Sequence, residues 1–155
     1  MIKELISNIS AWLAKMPVDP AVKTVKYGFS SLVPATEQPA IYFNIAGVPR
    51  CNYLNERGNS LIKINVDIML ITSVLASEEY ATIEAQKLLW QYDKDGKDAG
   101  FLPYLLSYQG GLLFTDKTGR AFMISNVSEC QIFSRDYGNN SRGAIKATVE
   151  ISTIS

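Results

Sequence analysis

Residues 61–72 read LIKINVDIMLIT, and this stretch decides the fold. Because successive side chains of a β-strand point to opposite faces of the sheet, its alternation predicts a strand with one buried face. The opposite face is polar in its middle, at Lys63, Asn65 and Asp67, and apolar at both ends. We therefore predict that water or a partner, rather than a helix, covers that second face. The buried face is formed by Ile62, Ile64, Val66, Ile68 and Leu70.

The predicted strand is long, since strands usually have only about 5–6 residues. We expect it to project beyond the domain body as part of a long β-hairpin. Its partner is the stretch AIYFNIAG, residues 40–47, which alternates in the same way and is expected to end at Gly47 and Pro49. The sequence CNYLNERGN, residues 51–59, predicts the turn between the two strands.

Two segments have helical periodicity. Apolar side chains recur at three- and four-residue steps in residues 2–16, which predicts an amphipathic helix that Pro17 ends. Ser77 begins the second helix, because its hydroxyl can cap free N–H groups while Glu78 and Glu79 meet the positive end of the helix dipole. This helix is expected to bury Ala81, Ala85, Leu88, Leu89 and Tyr92 and to end before DKDGKDAG.

The last third of the chain returns to strand patterns. Residues 121–134 form a second long strand region whose alternation slips near Ser128 and Glu129, which predicts a β-bulge. The stretch YGNNSRG, residues 137–143, has the composition of a polar hairpin loop. Residues 145–151 alternate again and predict a final, half-buried strand.

These elements follow the order helix, strands, helix, strands. The simplest packing is an α+β fold, in which an antiparallel or mixed β-sheet carries two main helices on one face and a long projecting hairpin. The length of 155 residues predicts a single domain over residues 1–155. Such a domain buries roughly 70 % of the surface of its unfolded chain, so it needs no metal or disulfide.

Charge and cysteine content exclude several classes. Fifteen basic and fifteen acidic residues balance, so the chain lacks the positive field that draws proteins to nucleic acid or anionic membranes. Polar residues interrupt the apolar N-terminus, and no stretch approaches the ~20 apolar residues of a membrane span, which predicts a non-secreted, soluble protein. Cys51 and Cys130 are expected to be free thiols in a reducing compartment.

Candidate catalytic and metal-binding groups are sparse. The chain has no histidine, which removes the commonest general base and the commonest metal ligand. Asp93, Asp95 and Asp98 stand near Gly96, but an EF-hand calcium loop needs its glycine at the sixth position, so a solvated turn is favoured. We therefore expect no catalytic residue, no metal and no cofactor, and a protein that is not an enzyme.

Taken together, the elements resemble the tail terminator, or tail completion (gpU-like), family of neck proteins in long-tailed bacteriophages. The likeness is one of element order, size and composition and covers most of the chain. It departs from the family at residues 93–120, where a longer and more apolar insertion follows the second helix. The stretches that carry it are residues 2–16, AIYFNIAG, LIKINVDIMLITS, SEEYATIEAQKLLWQY, AFMISNVSECQIF and GAIKATVEISTIS.

The resemblance implies a structural virion protein. Its members form a ring, usually of six subunits, that caps the tail tube, stops its polymerisation and joins the tail to the head connector. The implied partners are further copies of the chain, the tail tube protein, and a connector or stopper protein. No membrane and no specific nucleic acid are implied, although DNA passes through such a ring. The implied location is the neck of the virion, after assembly in the host cytoplasm.

Three surfaces are candidate contacts with other subunits or partners, and ordinary solvent exposure is the alternative for each. The first is the second face of the long strand, and the second is the predicted turn before that strand, at residues 55–59. The third is the last hairpin, whose cations around an aromatic side chain could also hold a nucleic-acid backbone and stack a base. The candidate residues are Lys63, Asn65, Asp67, Asn55, Arg57, Arg135, Tyr137, Asn139 and Arg142.

Rival functions remain open at this point. One is another neck or head–tail joining protein. A second is a small ligand-binding or enzymatic α+β domain, whose pocket would be lined by Tyr104, Tyr108 and Phe114. A third is a nucleic-acid-binding module built on Arg135, Arg142 and the neighbouring Lys146, although nearby acidic residues dilute that cluster.

Overall fold

Long strands dominate the architecture. The structure is a computed structural model that describes residues 2–29, 38–53, 60–75, 77–137 and 140–154; for residues 47–53, 60, 74, 135–137 and 140 only the backbone is described. The elements are α1 (Ile2–Ala14), β1 (Thr24–Tyr27), β2 (Ala40–Tyr53), β3 (Ser60–Leu75), α2 (Glu78–Leu89), β4 (Gln91–Tyr92), β5 (Asp98–Ala99), α3 (Phe101–Ser107), β6 (Leu112–Thr115), β7 (Ala121–Val127), β8 (Gln131–Tyr137) and β9 (Asn140–Ile154).

Seven of the described strands form one mixed sheet. Its order is β1-β2-β3-β9-β7-β6, and β8 also pairs with β9. The pair β1–β2 is parallel and the other pairs are antiparallel. Strands β4 and β5 form a separate two-stranded ribbon. Together with the three described helices, this sheet confirms the predicted α+β fold.

Strands β7 and β8 behave as one long strand with a bulge between them. Val127 pairs with Val149 and Gln131 pairs with Lys146, so residues 128–130 face only two residues of β9. At the bulge, the Ser128 N–H donates to the Thr148 carbonyl oxygen (2.9 Å), and the Ser128 hydroxyl accepts from the Thr148 N–H (2.8 Å). The hydroxyl thus satisfies a strand N–H within the disrupted ladder, and the predicted bulge is confirmed.

The helices cover one face of the sheet, which we call the helix face. Ile64, Val66, Ile68 and Leu70 of β3 are buried there, as their alternation predicted, while Ile62 is partly buried. They share one hydrophobic cluster with side chains from all three described helices, Leu5, Ile9, Trp12, Leu13, Ala85, Leu88, Phe101, Tyr104 and Leu105. This cluster is the main core.

The opposite face, which we call the second face, has two different ends. At one end, Met69 and Ile71 are buried in a small separate cluster with Ala40, Tyr42 and Ala144. The prediction that water or a partner covers this face was therefore wrong for this end, because Met69 and Ile71 are buried within the chain, in one cluster with side chains of the neighbouring strands. None of the described helices contributes to this cluster.

Two predicted boundaries were also wrong, and strand pairing explains both. Strand β2 does not stop at Gly47 and Pro49 but continues to Tyr53, with its register shifting between Ala46 and Arg50. A bulge tolerates proline because the ladder already lacks a hydrogen bond there. Likewise, most of the predicted loop 137–143 is strand, since β9 begins at Asn140 and pairs with β8.

The long hairpin β2–β3 is present, but it is supported by a third strand. Strand β9 pairs with β3 from Leu61 to Leu75, which is nearly the full length of β3. The tip of the hairpin, residues 54–59, lies outside the described residues. The described part of the hairpin is therefore an integral part of the sheet.

Candidate interaction surfaces

The predicted contacts Lys63, Asn65 and Asp67 lie in a row on the second face. The Lys63 ammonium is 3.5 Å from the Glu150 carboxylate, which also accepts a hydrogen bond from the Ser125 hydroxyl (2.7 Å). The Asp67 carboxylate accepts from the Thr148 hydroxyl (2.6 Å). These contacts join β3, β9 and β7 by a polar ladder. Asn65 is exposed beside it.

Arg142 does not lie on an exposed loop as predicted. It belongs to β9, between Val74 of β3 and Arg135 of β8, and is only 6 % exposed. Because β3 and β8 flank β9 at this point and the Arg142 side chain is almost inaccessible to solvent, Arg142 is not a surface contact. Arg135 and Tyr137 lie on β8, where only the backbone is described, and Asn55, Arg57 and Asn139 lie outside the described residues.

The cluster of basic side chains predicted to bind nucleic acid at the last hairpin therefore has fewer exposed members than expected. Its cation Arg142 is buried, and Lys146 lies on the second face with its ammonium 6.0 Å from the centroid of the Phe29 ring. That distance places the ammonium at the limit of a cation–π contact. Phe29 follows β1, so its ring lies between the end of β1 and the Lys146 side chain of β9.

Helix α2 is apolar on two sides, and only the inner side was predicted. Ala81, Ala85 and Leu88 are buried against the sheet as expected. The helix ends at Leu89, so Tyr92 lies on β4 and is 73 % exposed, which corrects its predicted place on the inner face. The outer side carries three large exposed side chains, Tyr80, Ile83 and Trp90.

Tyr80 and Ile83 lie about 60° apart on the outer side of α2, and Trp90 follows as the C-cap residue with an extended backbone. The Trp90 indole N–H donates to the Asp98 carboxylate (2.8 Å), which fixes the ring at the side of an open groove of about 520 Å³. The groove is lined on its other side by α3, whose Leu106 is also exposed. We call Tyr80, Ile83, Trp90 and Leu106 the helix-side patch.

A second exposed apolar group lies on the second face, at the end opposite the buried cluster. Leu112 pairs with Met123, and Met123 pairs with Ser152, two residues before Ile154. Diagonal neighbours of this kind lie about 7–8 Å apart, within reach of long side chains. Leu112, Met123 and Ile154 are all more than 40 % exposed. We call these three residues the sheet-side patch.

The aromatic residues predicted to line a ligand pocket instead pack against core side chains, with Tyr104 buried and Tyr108 and Phe114 partly buried. The Trp12 and Tyr104 rings stack with centroids 5.7 Å apart, and Tyr108 packs edge-on against both. The Tyr104 hydroxyl donates to the Trp12 carbonyl oxygen (2.6 Å), and burial, together with the neighbouring Tyr108, raises the Tyr104 pKa above its usual value. Phe114 stacks on Phe122 beside a cavity of about 10 Å³, the size of a single water site.

The acidic stretch after α2 is a hydrogen-bonded turn. The Asp93 carboxylate accepts from the backbone N–H groups of Asp95 (2.8 Å) and Lys97 (2.9 Å). Among the residues that the structure describes, no three His, Cys, Asp or Glu side chains form a group that could hold a metal ion. Cys130 is half-buried, and burial raises the pKa of its thiol, which disfavours the reactive thiolate.

Comparison with known proteins adds no relative. No protein-family model matches the chain, and no curated protein matches it. No helix in the described ranges is long and apolar enough to cross a membrane.

Proposed function

We propose that this chain is a structural protein of a bacteriophage tail, a tail terminator that forms a ring on the end of the tail tube. The ring, of six subunits in the family that the sequence resembles, ends polymerisation of the tube and offers a surface to the connector or stopper protein. The observation that carries the proposal is the order of the elements: an opening amphipathic helix, the long hairpin β2–β3, the capped helix α2 and the closing strands β7 to β9.

The exposed surfaces support a role in assembly. Tyr and Trp are enriched where proteins bind one another, because they bury much area at a small cost in side-chain entropy. Here Tyr80 and Trp90 are more than half exposed on the helix layer, and the sheet-side patch lies on the other layer. Contiguous exposed apolar patches on a protein mark sites where it binds other molecules.

Strand edges also favour assembly. Within the described residues, β6 forms one outer strand of the sheet, and β8 pairs with β9 alone. Unpaired strand edges present free N–H and C=O groups that proteins either protect or use for pairing with another chain. A ring subunit uses such edges when it meets its neighbours.

A second candidate is another protein of the neck or of the head–tail joint. The observation that favours it is the segment between residues 93 and 120, which departs from the usual family pattern. It contains α3, whose Leu106 helps to form the open groove beside Trp90. An additional surface at this place suits a different neighbour in the neck.

The decisive experiment adds the purified chain to polymerising tail-tube subunits and measures tube lengths by electron microscopy. Tubes should stop growing, and the amount of chain required should scale with the number of tube ends and not with tube mass. Class averages of the tips should show a ring. Tubes of unchanged length with bare tips would contradict the proposal, whereas a monomer in solution would not, because such rings can form on the tube alone.

A further inference from the structure

The two exposed patches lie on opposite layers of the molecule. The helix-side patch belongs to the outer surface of α2 and α3, whose inner surface packs on the helix face of the sheet. The sheet-side patch belongs to the second face, at the end where Asn65, Ser125 and Asn126 are exposed as well. A neighbouring molecule is therefore able to cover each patch without covering the other.

Acidic and basic side chains are distributed unevenly between the region of the helix-side patch and the rest of the chain. Residues 77–100, which contain α2 and the β4–β5 ribbon, carry six acidic and three basic side chains, although the whole chain is neutral. The rest of the chain therefore has an excess of basic residues. Near the sheet-side patch, the turn between β6 and β7 and the adjoining start of α1 carry three basic side chains, Lys3, Lys117 and Arg120, against two acidic ones, Glu4 and Asp116.

We propose that the helix-side patch of one copy docks on the sheet-side patch of a second copy, in a head-to-tail contact. The opposite signs of the charges around the two patches select this pairing. Two helix-side patches would bring like charges together, and like-charge contact suppresses association. This proposal rests on the proposed ring, because it names the surfaces through which neighbouring subunits would meet.

The chain already uses this kind of packing internally. The inner side of α2 lies on the helix face of its own sheet through Ala81, Ala85 and Leu88. In the proposed contact, the outer side of α2 lies on the second face of the next sheet, so each sheet receives helices on both faces. A contact between two different patches repeats from copy to copy and closes into a ring when the rotation permits.

The test uses the full chain and three substitutions at exposed apolar positions. Ile83→Glu places a charge in the helix-side patch, and Met123→Glu places one in the sheet-side patch. Ile2→Glu is the matched control, because Ile2 is an exposed isoleucine on a helix outside both patches. Circular dichroism should show all three variants folded.

Sedimentation equilibrium over a range of protein concentrations then measures self-association. We expect the wild type and Ile2→Glu to associate, more weakly at high salt, and each patch variant to associate at least about tenfold more weakly. An equimolar mixture of Ile83→Glu and Met123→Glu should form one-to-one dimers that grow no further, because the mixture retains one intact patch of each kind.

Three results would overturn the proposal. The first is a patch variant that associates, in solution or as a ring on tube ends, as strongly as the wild type, and the second is an equal loss of association in Ile2→Glu. The third is either variant dimerising on its own, as two separate like-to-like contacts would give, or a mixture that forms no dimer at all. Tube capping is measured separately. Capped tubes without a head-to-tail contact would refute the contact but not the tail-terminator proposal. Association without tube capping would refute the tail-terminator proposal but not the contact.

Discussion

Gly143 of β9 is a position where α2 approaches the sheet very closely, so Gly143→Ala is a sharp test of the fold. A Cβ atom at this position would overlap the carbonyl oxygen of Ala81 and lie 2.9 Å from the Ala85 Cβ. The Gly143 N–H also donates to the Thr72 hydroxyl (2.9 Å). Helix α2 would therefore have to move away, or β9 would have to shift and weaken that hydrogen bond.

The size of the effect follows from overpacking. Forcing extra atoms into a packed core costs typically about 1–3 kcal/mol, and this contact lies at the upper end because the main obstacle is backbone. We expect a loss of about 3 kcal/mol in the free energy of unfolding. For a domain of this size each kcal/mol lowers Tm by about 2–4 °C, so Tm should fall by about 6–12 °C.

Urea unfolding followed by circular dichroism measures this loss. Gly111→Ala is the matched control, because a Cβ there would meet its nearest atom, the Tyr108 carbonyl oxygen, at an ordinary 3.6 Å. The double variant Gly143→Ala with Ala85→Gly should stay unstable, since the obstruction by the Ala81 carbonyl remains. Equal stability of Gly143→Ala and Gly111→Ala would refute the close approach of α2 to β9.

Three further predictions concern hydrogen bonds and charge. Ser128→Ala removes the acceptor of the Thr148 N–H at the bulge and should lower the free energy of unfolding by about 1 kcal/mol in urea titrations; Ser128→Thr, which keeps the hydroxyl, should not. Because the fold raises the Tyr104 pKa, the stability this group contributes is complete below its unfolded value of 10.0 and is lost as pH rises through its folded value. Urea titrations at pH 8 and pH 11 should therefore show a larger loss in the wild type than in Tyr104→Phe. Lys63→Ala breaks an ion pair in which the lysine side chain is 33 % exposed, so its effect should stay below about 0.5 kcal/mol, and a larger loss would mean that the polar ladder stabilises the sheet strongly.

The strands could be predicted from sequence wherever a pattern is local. The alternation from Ile62 to Leu70 depends on one strand with one buried face, and the structure has that face in the core. The slip near Ser128 was visible for the same reason, since an extra residue moves all following side chains to the other face. These features need no knowledge of the neighbouring strands.

Features that depend on neighbours were missed. Nothing near Arg142 in the sequence shows that β3 and β8 flank it, so a polar stretch was interpreted as a loop. Pro49 predicted a strand end because the bulge that accommodates it forms only against β3. Met69 and Ile71 are buried by residues from β2 and β9, which are distant along the chain.

The apolar outer side of α2 was missed for a different reason. Its inner side uses alanines, which let the helix lie close to Gly143, while the larger Tyr80, Ile83 and Trp90 face outward. A helix with apolar residues on both sides has a weak hydrophobic periodicity in its sequence. Such a helix can nevertheless pack against a different surface on each side. A search for large apolar residues outside the predicted buried stripe would have found it.

The two faces of the sheet differ in how their apolar side chains are covered. The helix face is closed by the chain itself, whereas the second face is crossed by a polar ladder between its buried cluster and the sheet-side patch. The ladder keeps the middle of that face hydrated, so the exposed apolar area is confined to one end and stays small. Small patches on opposite layers give weak single contacts. Weak contacts become a stable ring when every subunit makes two of them and the ring closes, since the closing contact joins surfaces that are already held together. In the proposed tail terminator, the tube end would supply the template on which those contacts close.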